Sequence, residues 1–370
     1  MKIIKYIALA LILFNLPAVC LMAYGSSAGE ALSYLTVLML AVYYGLEKKS
    51  KPNWWIIILS LLYFIIGGLQ YIGAEKLIIN EMIKFFIFII GGYEMTKRVT
   101  KIELFFFLLI GSLSIGYEAL LLTSDYGRYG GFYINANVAG FICIYGYSLV
   151  YGLKSQTLKL LGQFVFTLMG LLTFSRTFIV IWLLLNVMSL KISIKNIRIF
   201  GVGFLIFSTL LFIDQVVGLN NPRFQQLTSI VNNEQVAVEE INHDSRTETW
   251  ALFYDQILEA PFFGSGYGSF SGKTVEMGVH NTYLMIIGEA GIIPFLIFLL
   301  YIGRFFYKSW HYFKEAPYLI MQTTSLAVFL LANHNFFTFY YMVFTAMWIQ
   351  YQIEKLDEEN SILTENLATS

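Results

Sequence analysis

The sequence predicts an all-α, polytopic integral membrane protein with about twelve transmembrane helices and one long external loop that contains an amphipathic helix. Three observations carry this prediction. Apolar residues make up 57% of the 370 residues and charged residues only 13%, compared with about 25% charged residues in soluble domains. The mean hydropathy is +0.66. A single long polar stretch, residues 218–281, interrupts the apolar sequence. A soluble enzyme is excluded, and no nucleic acid partner is expected.

Twelve apolar segments approach the length of about 20 residues that a helix needs to cross a bilayer. They lie at residues 3–23, 28–46, 53–71, 77–94, 102–122, 132–152, 157–174, 177–190, 198–217, 282–303, 317–333 and 336–352. The eighth segment is short. The fourth contains Glu81 and Lys84, an i,i+3 pair that could neutralise itself inside the helix bundle.

These segments divide the chain into four parts. We predict nine transmembrane helices in residues 1–217, an external loop with catalytic-type residues at 218–281, three more helices in 282–352, and a polar cytoplasmic tail at 353–370. The tail is rich in acidic residues and is predicted to be loose.

Basic residues indicate the side of each connection. If both termini lie in the cytoplasm, lysine dominates the inner connections. Four of the six basic residues on the outer side are instead arginines, namely Arg128, Arg176, Arg223 and Arg246. Arginine binds phosphate through two parallel hydrogen bonds, which lysine cannot do. The outer arginines therefore suit an anionic ligand, although some could simply pair with acidic loop residues.

In this topology every even-numbered helix begins on the outer side, where its N-terminus attracts anions. Polar residues mark three of these N-termini: Arg128, Asn135 and Asn137 at the sixth helix, Ser175 and Arg176 at the eighth, and His280 and Asn281 at the tenth. Ser175 is a plausible N-cap. The sequence thus predicts a polar site at the outer ends of these helices.

Histidine is the residue best suited to proton transfer here, because its pKa of about 6.5 lies near neutral pH. His280 closes the polar stretch and is the candidate general base; the alternative is that it only caps a helix or faces lipid headgroups. His334 lies on the predicted outer turn between the last two helices. It could orient a sugar or merely occupy the membrane interface.

The loop itself carries further local signals. Ser245 and Glu248 fit a capping box, and the apolar residues from Trp250 onward keep helical spacing, so a surface helix is predicted from Arg246 to before Pro261. Gly264-Ser-Gly266-Tyr-Gly268 predicts tight turns with Tyr267 and Phe270 in the membrane interface. Glu289 is expected to be buried. No metal-ligand spacing occurs in the sequence, and no cofactor is expected.

Taken as an ordered set, these motifs resemble the O-antigen ligase and O-antigen polymerase superfamily. The residues that carry the resemblance are Asn135-Ala-Asn137, Ser175-Arg176-Thr177, Ser245-Arg246, Gly264-Ser-Gly266-Tyr-Gly268, His280-Asn281 and Glu289-Ala-Gly291. The chain departs from the superfamily at Ala136, where a proline is frequent.

The resemblance implies a metal-independent, inverting glycosyltransferase that uses undecaprenyl-pyrophosphate-linked glycans at the outer face of the bacterial cytoplasmic membrane. By this resemblance Arg176 and Arg246 would hold the donor pyrophosphate, and His280 would activate the acceptor hydroxyl. Arg128, Asn135 and Asn137 would shape the substrate site. The implied partners are the lipid-linked oligosaccharide, the bilayer, and a flippase and chain-length regulator of the same pathway.

The acceptor distinguishes the functions within the superfamily. We favour a polymerase of repeat units for O-antigen, capsule or exopolysaccharide, because the chain is compact and has one outer loop. The first alternative is an O-antigen ligase that transfers the glycan to lipid A-core. A lipid-linked oligosaccharide flippase is the alternative from another class; it should show repeat symmetry and ionisable groups through the membrane midplane. No repeat is visible in the sequence.

Overall fold

A computed structural model describes residues 1–121, 127–217, 246–273 and 277–369 of the chain. These residues form sixteen α-helices. They are α1 (Lys2–Leu13), α2 (Leu16–Tyr24), α3 (Ser26–Leu46), α4 (Trp54–Leu69), α5 (Glu75–Thr96), α6 (Lys101–Leu121), α7 (Ala136–Leu149), α8 (Gln156–Leu172), α9 (Arg176–Leu190), α10 (Arg198–Val217), α11 (Arg246–Ala251), α12 (Tyr254–Glu259), α13 (Thr282–Ala290), α14 (Ile292–His311), α15 (Pro317–Leu330) and α16 (Tyr340–Thr369). No strand occurs among the described residues.

Several of these helices are long and apolar enough to cross a membrane. Four qualify individually: α3, α6, α14, and the segment Ile194–Phe212 that includes most of α10. The pair α1 and α2, bent by 62°, would make a fifth if it forms one broken span. Five further apolar helices are shorter, namely α4, α7 with its 3₁₀ extension, α8, α9 and α15. The predicted class of helical membrane protein agrees with this architecture, whereas the number of twelve spans stays a prediction.

Three helices form the centre of the bundle. Every residue of α7 from Val138 to Leu149 is buried, and α15 is buried along nearly its whole length. The first turns of α16 are buried from Tyr341 to Gln350. A helix that is apolar on all sides is stable only when other helices surround it, and α6, α8, α9 and α14 contact this centre.

One end of the bundle carries the residues that the sequence singled out, and we call it the glycine-loop end after residues 264–270. The backbone N–H of Tyr267 donates to the carbonyl of Gly67 at the end of α4, 2.7 Å away. Lys273 forms an ion pair of 3.3 Å with Glu81 in the first half of α5. The sequence paired Glu81 with Lys84, and that is wrong: Lys84 Nζ lies 4.3 Å from the ring centre of Tyr34.

The tenth predicted span, 282–303, differs in the structure. The chain forms the short helix α13, breaks at Gly291, whose φ is 77°, and continues as the 20-residue α14 to His311. Only α14 passes as a candidate span. Hydropathy could not separate the two helices because both are apolar, and a single glycine with positive φ makes the break.

The predicted surface helix also occurs in two pieces. Helix α11 begins at Arg246, as expected, but ends at Ala251, and α12 follows from Tyr254 to Glu259. Phe253 between them is buried and packs on Phe270 with ring centres 5.0 Å apart. The predicted capping residue Ser245 and the loop before it, 218–245, lie outside the described residues.

The acidic tail is helical, so the prediction of a loose segment is wrong. Helix α16 continues from the bundle to Thr369. Asp357 accepts hydrogen bonds from Lys308 Nζ at 3.0 Å and from the Tyr312 hydroxyl at 2.6 Å. These contacts attach the first two turns of the tail to α14 and the residue that follows it.

Candidate functional site

Three helices at the glycine-loop end begin with the same local structure. Their caps are Asn135 for α7, Ser175 for α9 and Asn281 for α13, and each cap side chain accepts a hydrogen bond from a backbone N–H of the first turn. The residue before each cap has a left-handed backbone: Ile134 (φ 64°), Phe174 (φ 49°) and His280 (φ 51°). Such a conformation costs about 1–2 kcal/mol for a residue with a side chain. The packed surroundings must therefore hold all three turns in place.

Arg128, Asn137 and Ser175 form the first polar group of the site. Arg128 Nη2 donates to Asn137 Oδ1 at 2.8 Å, and the Ser175 hydroxyl donates to the same oxygen at 3.0 Å. Arg128 Nε also reaches the carbonyl oxygen of Thr173 at 3.5 Å. Asn137 thus joins the N-termini of α7 and α9 and orients the guanidinium of Arg128.

Arg176 lies next to this group as the first residue of α9. Its side chain is exposed, and within the described residues its guanidinium has no hydrogen bond or ion pair. A fork of N–H donors that points from a helix N-terminus toward solvent can bind a phosphate bidentately.

His280, Asn281 and His334 form the second polar group. The backbone N–H of His280 donates to Nδ1 of His334 at 3.1 Å, and the two rings lie 4.8 Å apart in an edge-on arrangement. His280 is exposed, whereas His334 is only 8% exposed. Because Nδ1 of His334 accepts a hydrogen bond, the neutral ring carries its proton on Nε2.

The environment of His334 keeps its ring neutral. Burial, together with the neighbouring His280, lowers the pKa of His334 from 6.5 to about 4, and a hydrogen bond with the Ser271 backbone opposes this shift only in part. Gly278 allows the close packing, since a Cβ there would lie 2.6 Å from atoms of the His334 ring. His334 is therefore a fixed acceptor that positions His280, whose imidazole remains open to solvent.

The glycine loop, residues 264–270, packs against the C-terminal end of α13, the helix that begins just after His280. Ser265 and Gly266 donate backbone hydrogen bonds to the carbonyls of Gly288 and Glu289 at 2.7 and 3.2 Å. Glu289 is fully buried, as the sequence predicted, and its carboxylate accepts from the Phe270 N–H at 3.0 Å and from the Tyr63 hydroxyl.

A further backbone hydrogen bond links Phe270 to the residue before His280. The carbonyl of Phe270 accepts from the N–H of Val279 at 2.9 Å, one residue before His280. Glu289 lies at the C-terminal end of α13, and its contacts connect it to the glycine loop.

The two polar groups lie at the same end of the bundle. Phe141 in the second turn of α7 stacks on Phe329 near the end of α15, with ring centres 4.4 Å apart. Asn137 is four residues before Phe141, and His334 is five residues after Phe329. A helix rises 1.5 Å per residue. The contact between Phe141 and Phe329 therefore places the two polar groups at a similar height along the bundle.

The remaining predicted residues have different positions. Asn135 uses its side-chain oxygen to accept from the N–H groups of Asn137 and Val138, and Asn281 likewise caps α13. Both therefore position their helices. Arg246 begins α11, but its side chain lies outside the described part of the structure.

Sequence reasoning missed the support given by Glu118. Its carboxylate accepts from the N–H groups of Gly130 and Gly131 at 2.8 and 2.5 Å and so holds the turn that leads from Arg128 to α7. The available signal was an acidic residue at the end of an apolar segment, shortly before two glycines. An unpaired carboxylate is costly there, and two adjacent backbone N–H groups satisfy it.

Fold and site together define a helical membrane protein with a polar site of arginine, asparagine and histidine at one end of its bundle. Residues 161–299 match the sequence model of a family described as O-antigen ligase. This match supports membership of the O-antigen ligase and polymerase superfamily, whose members are membrane glycosyltransferase-like enzymes with a lipid-linked glycan substrate. A comparison with curated proteins gives no match.

The matched region covers only part of the site. It includes Ser175, Arg176, Arg246, the glycine loop, His280, Asn281 and Glu289. Arg128, Asn135 and Asn137 precede the matched residues, and His334 follows them. Structural contacts, rather than the match, connect these four residues to the site.

Proposed function

We propose that the protein is a polymerase that joins undecaprenyl-pyrophosphate-linked oligosaccharide repeats into a surface polysaccharide at the outer face of the bacterial cytoplasmic membrane. One observation carries the proposal: two exposed side chains, His280 and Arg176, lie at the N-termini of helices at the same end of a membrane bundle, and among the described residues Arg176 forms no hydrogen bond or ion pair. A membrane-bound donor would place its pyrophosphate at such an end while its polyprenyl chain stays among apolar helices.

The chemistry follows from the two groups. His280 takes the proton from the acceptor hydroxyl, whose oxygen attacks the anomeric carbon on the face opposite to the pyrophosphate. The bond between the anomeric carbon and the pyrophosphate oxygen breaks, and the anomeric configuration inverts. The departing pyrophosphate gains negative charge, which Arg176 and the N-terminus of α9 stabilise, with Arg246 as a further donor.

The other site residues prepare this arrangement. Asn137 and Ser175 orient Arg128 beside the donor site, and His334 holds the backbone of His280. Neutral His334 matters because a positive charge there would disfavour protonation of His280 during the reaction. The glycosyl pyrophosphate supplies the driving force for the transfer, so the proposed reaction needs no nucleotide.

The ligase alternative keeps the same donor and changes the acceptor to lipid A-core. The description of the matching family favours it, whereas the single external loop predicted from the sequence favours the polymerase. Gel profiles of surface polysaccharide separate the two functions in a deletion strain complemented with the wild-type gene or with His280→Ala.

A polymerase defect leaves single repeats on lipid A-core. A ligase defect removes core-linked glycan and leaves long chains on undecaprenyl pyrophosphate. If His280→Ala restored the normal ladder at wild-type protein levels, the proposed chemistry would be wrong.

A further inference from the structure

A second polar cluster lies at the opposite end of the bundle, between α4, α14 and α16. Four of its side-chain atoms are buried without a hydrogen-bond partner among the described residues: Asn53 Nδ2, Tyr301 Oη, Arg304 Nη1 and Gln350 Oε1. Asn53 is 3% exposed, Gln350 is 1% exposed and Tyr301 is fully buried. The side chain of Asn53 lies within hydrogen-bonding range of the Tyr301 hydroxyl, and the charges of Arg304 and Glu354 are nearby.

The side-chain oxygens of Glu354 and Asn53 near this cluster already accept hydrogen bonds from other groups. The carboxylate of Glu354 accepts from the Tyr93 hydroxyl at 2.5 Å and from Gln350 Nε2 at 2.7 Å. The side-chain oxygen of Asn53 accepts from the Ile56 N–H at 3.1 Å, which caps α4. One N–H of the Asn53 amide lies within hydrogen-bonding range of the Tyr301 oxygen. Its second N–H, the Tyr301 hydroxyl proton and Arg304 Nη1 remain without an acceptor among the described residues. Buried donors without acceptors are rare and costly.

The unpaired guanidinium of Arg304 favours an anion as the missing acceptor. Among the described residues Arg304 forms no ion pair, and its guanidinium lies over the ring of Trp55, with Cζ 5.8 Å from the ring centre. Glu354 is nearby but is engaged by two neutral donors. A phosphate offers several oxygens in the geometry that a guanidinium, an amide and a hydroxyl can share.

The position of the cluster favours a lipid as the source of that phosphate. Trp54 and Trp55 begin α4 and are 61% and 38% exposed, as is typical of tryptophans at the level of lipid headgroups. Gln350 Oε1 needs a donor, which the hydroxyl or amine of a phospholipid headgroup supplies. We propose that Arg304, Asn53 and Tyr301 bind the phosphate of a membrane phospholipid, at a site separate from the candidate functional site.

Two substitutions test the site in different ways. Arg304→Gln removes the positive charge. Asn53→Asp keeps the oxygen that caps α4. It replaces the amide donor with a second carboxylate oxygen, which accepts a hydrogen bond from the Tyr301 hydroxyl and repels a bound phosphate. Lys308→Gln is the control, because it removes a positive charge one turn away on α14 that is already paired with Asp357.

Native mass spectrometry of the full-length protein in detergent, titrated with phosphatidylglycerol, measures the binding. We expect one tightly held lipid in the wild type, a Kd raised at least about tenfold by Arg304→Gln and by Asn53→Asp, and a change of less than about twofold in Lys308→Gln. Asn53→Asp should also unfold at a temperature no lower than the wild type, which separates loss of the ligand from loss of the fold.

A titration with inorganic phosphate is the second experiment, and it distinguishes a lipid phosphate from a free anion as the ligand. If phosphate at millimolar concentration raises the unfolding temperature of the wild type but not of Asn53→Asp, while lipid retention is equal in both, the site binds phosphate from a free anion. If lipid retention is the same in all four proteins and phosphate has no effect, the cluster is hydrated and the proposal is wrong.

Discussion

Replacing His334 with asparagine tests how the site keeps its second histidine neutral. His334 Nδ1 accepts the N–H of His280 at 3.1 Å, and burial lowers its pKa to about 4. The pKa in the unfolded chain is about 6.5. Between these values the unfolded state binds the proton and the folded state does not. The His334 contribution to stability is therefore fully present above about pH 6.5 and is lost as the pH falls toward 4.

The size of the effect follows from the two pKa values. One pKa unit corresponds to about 1.4 kcal/mol, so lowering the pH from 7 to 4.5 removes about 2.5 kcal/mol from the free energy of unfolding of the wild type. An asparagine places an acceptor oxygen near the position of Nδ1 but does not titrate in this range. The His334→Asn variant should keep the hydrogen bond to the backbone of His280. Its free energy of unfolding should not show the loss of about 2.5 kcal/mol that His334 causes between pH 7 and pH 4.5.

The assay is thermal unfolding in detergent at pH 7 and at pH 4.5 for the wild type and for His334→Asn. Other titrating groups affect both proteins equally, so the difference between the two pH-induced shifts in unfolding temperature isolates His334. Equal shifts in the two proteins would refute the claim that His334 is neutral and buried in the folded state.

Three further predictions concern the site. His280→Ala should lower kcat for glycan transfer by about 10²–10⁴-fold and leave donor binding nearly unchanged, whereas His311→Ala at the opposite end should keep wild-type activity; equal losses in both would contradict a catalytic role. Arg176→Lys should raise KM for the lipid-linked donor about tenfold or more, since lysine keeps the charge but loses the fork, and an unchanged KM would remove Arg176 from the donor site. Glu289→Gln should lower the free energy of unfolding by about 1–3 kcal/mol, because one amide N–H would face the donors of Phe270 and Tyr63; thermal unfolding with no loss would show that the carboxylate is not needed.

The sequence predicted the helical membrane class well because composition alone requires it. Long apolar segments are not stable in water, and a helix satisfies all the backbone hydrogen bonds of such a segment within the segment itself. The cap of α9, Ser175, was also visible, since a polar residue before an apolar run is a local signal. The break at Gly291 was not visible, because one glycine in an apolar run does not specify the direction of the chain.

Long-range contacts explain most of the remaining differences. The pairing of Glu81 with Lys273 joins residues far apart in the chain, and a spacing rule could only offer the nearby Lys84. The helical tail depends on Asp357 meeting α14, which its polar composition does not indicate. At the site, the sequence named His280 and His334 separately, but only the fold shows that one ring holds the backbone of the other.

The most direct test of the central claim is transfer by the purified protein in vesicles, with lipid-linked repeats extracted from a strain that lacks this gene as both donor and acceptor. The account predicts that the wild-type protein lengthens the glycan, releases undecaprenyl pyrophosphate and inverts the anomeric configuration at the new linkage, while His280→Ala at equal amount forms no detectable product. Lengthening by His280→Ala at the wild-type rate, or a new linkage with retained configuration, would contradict it.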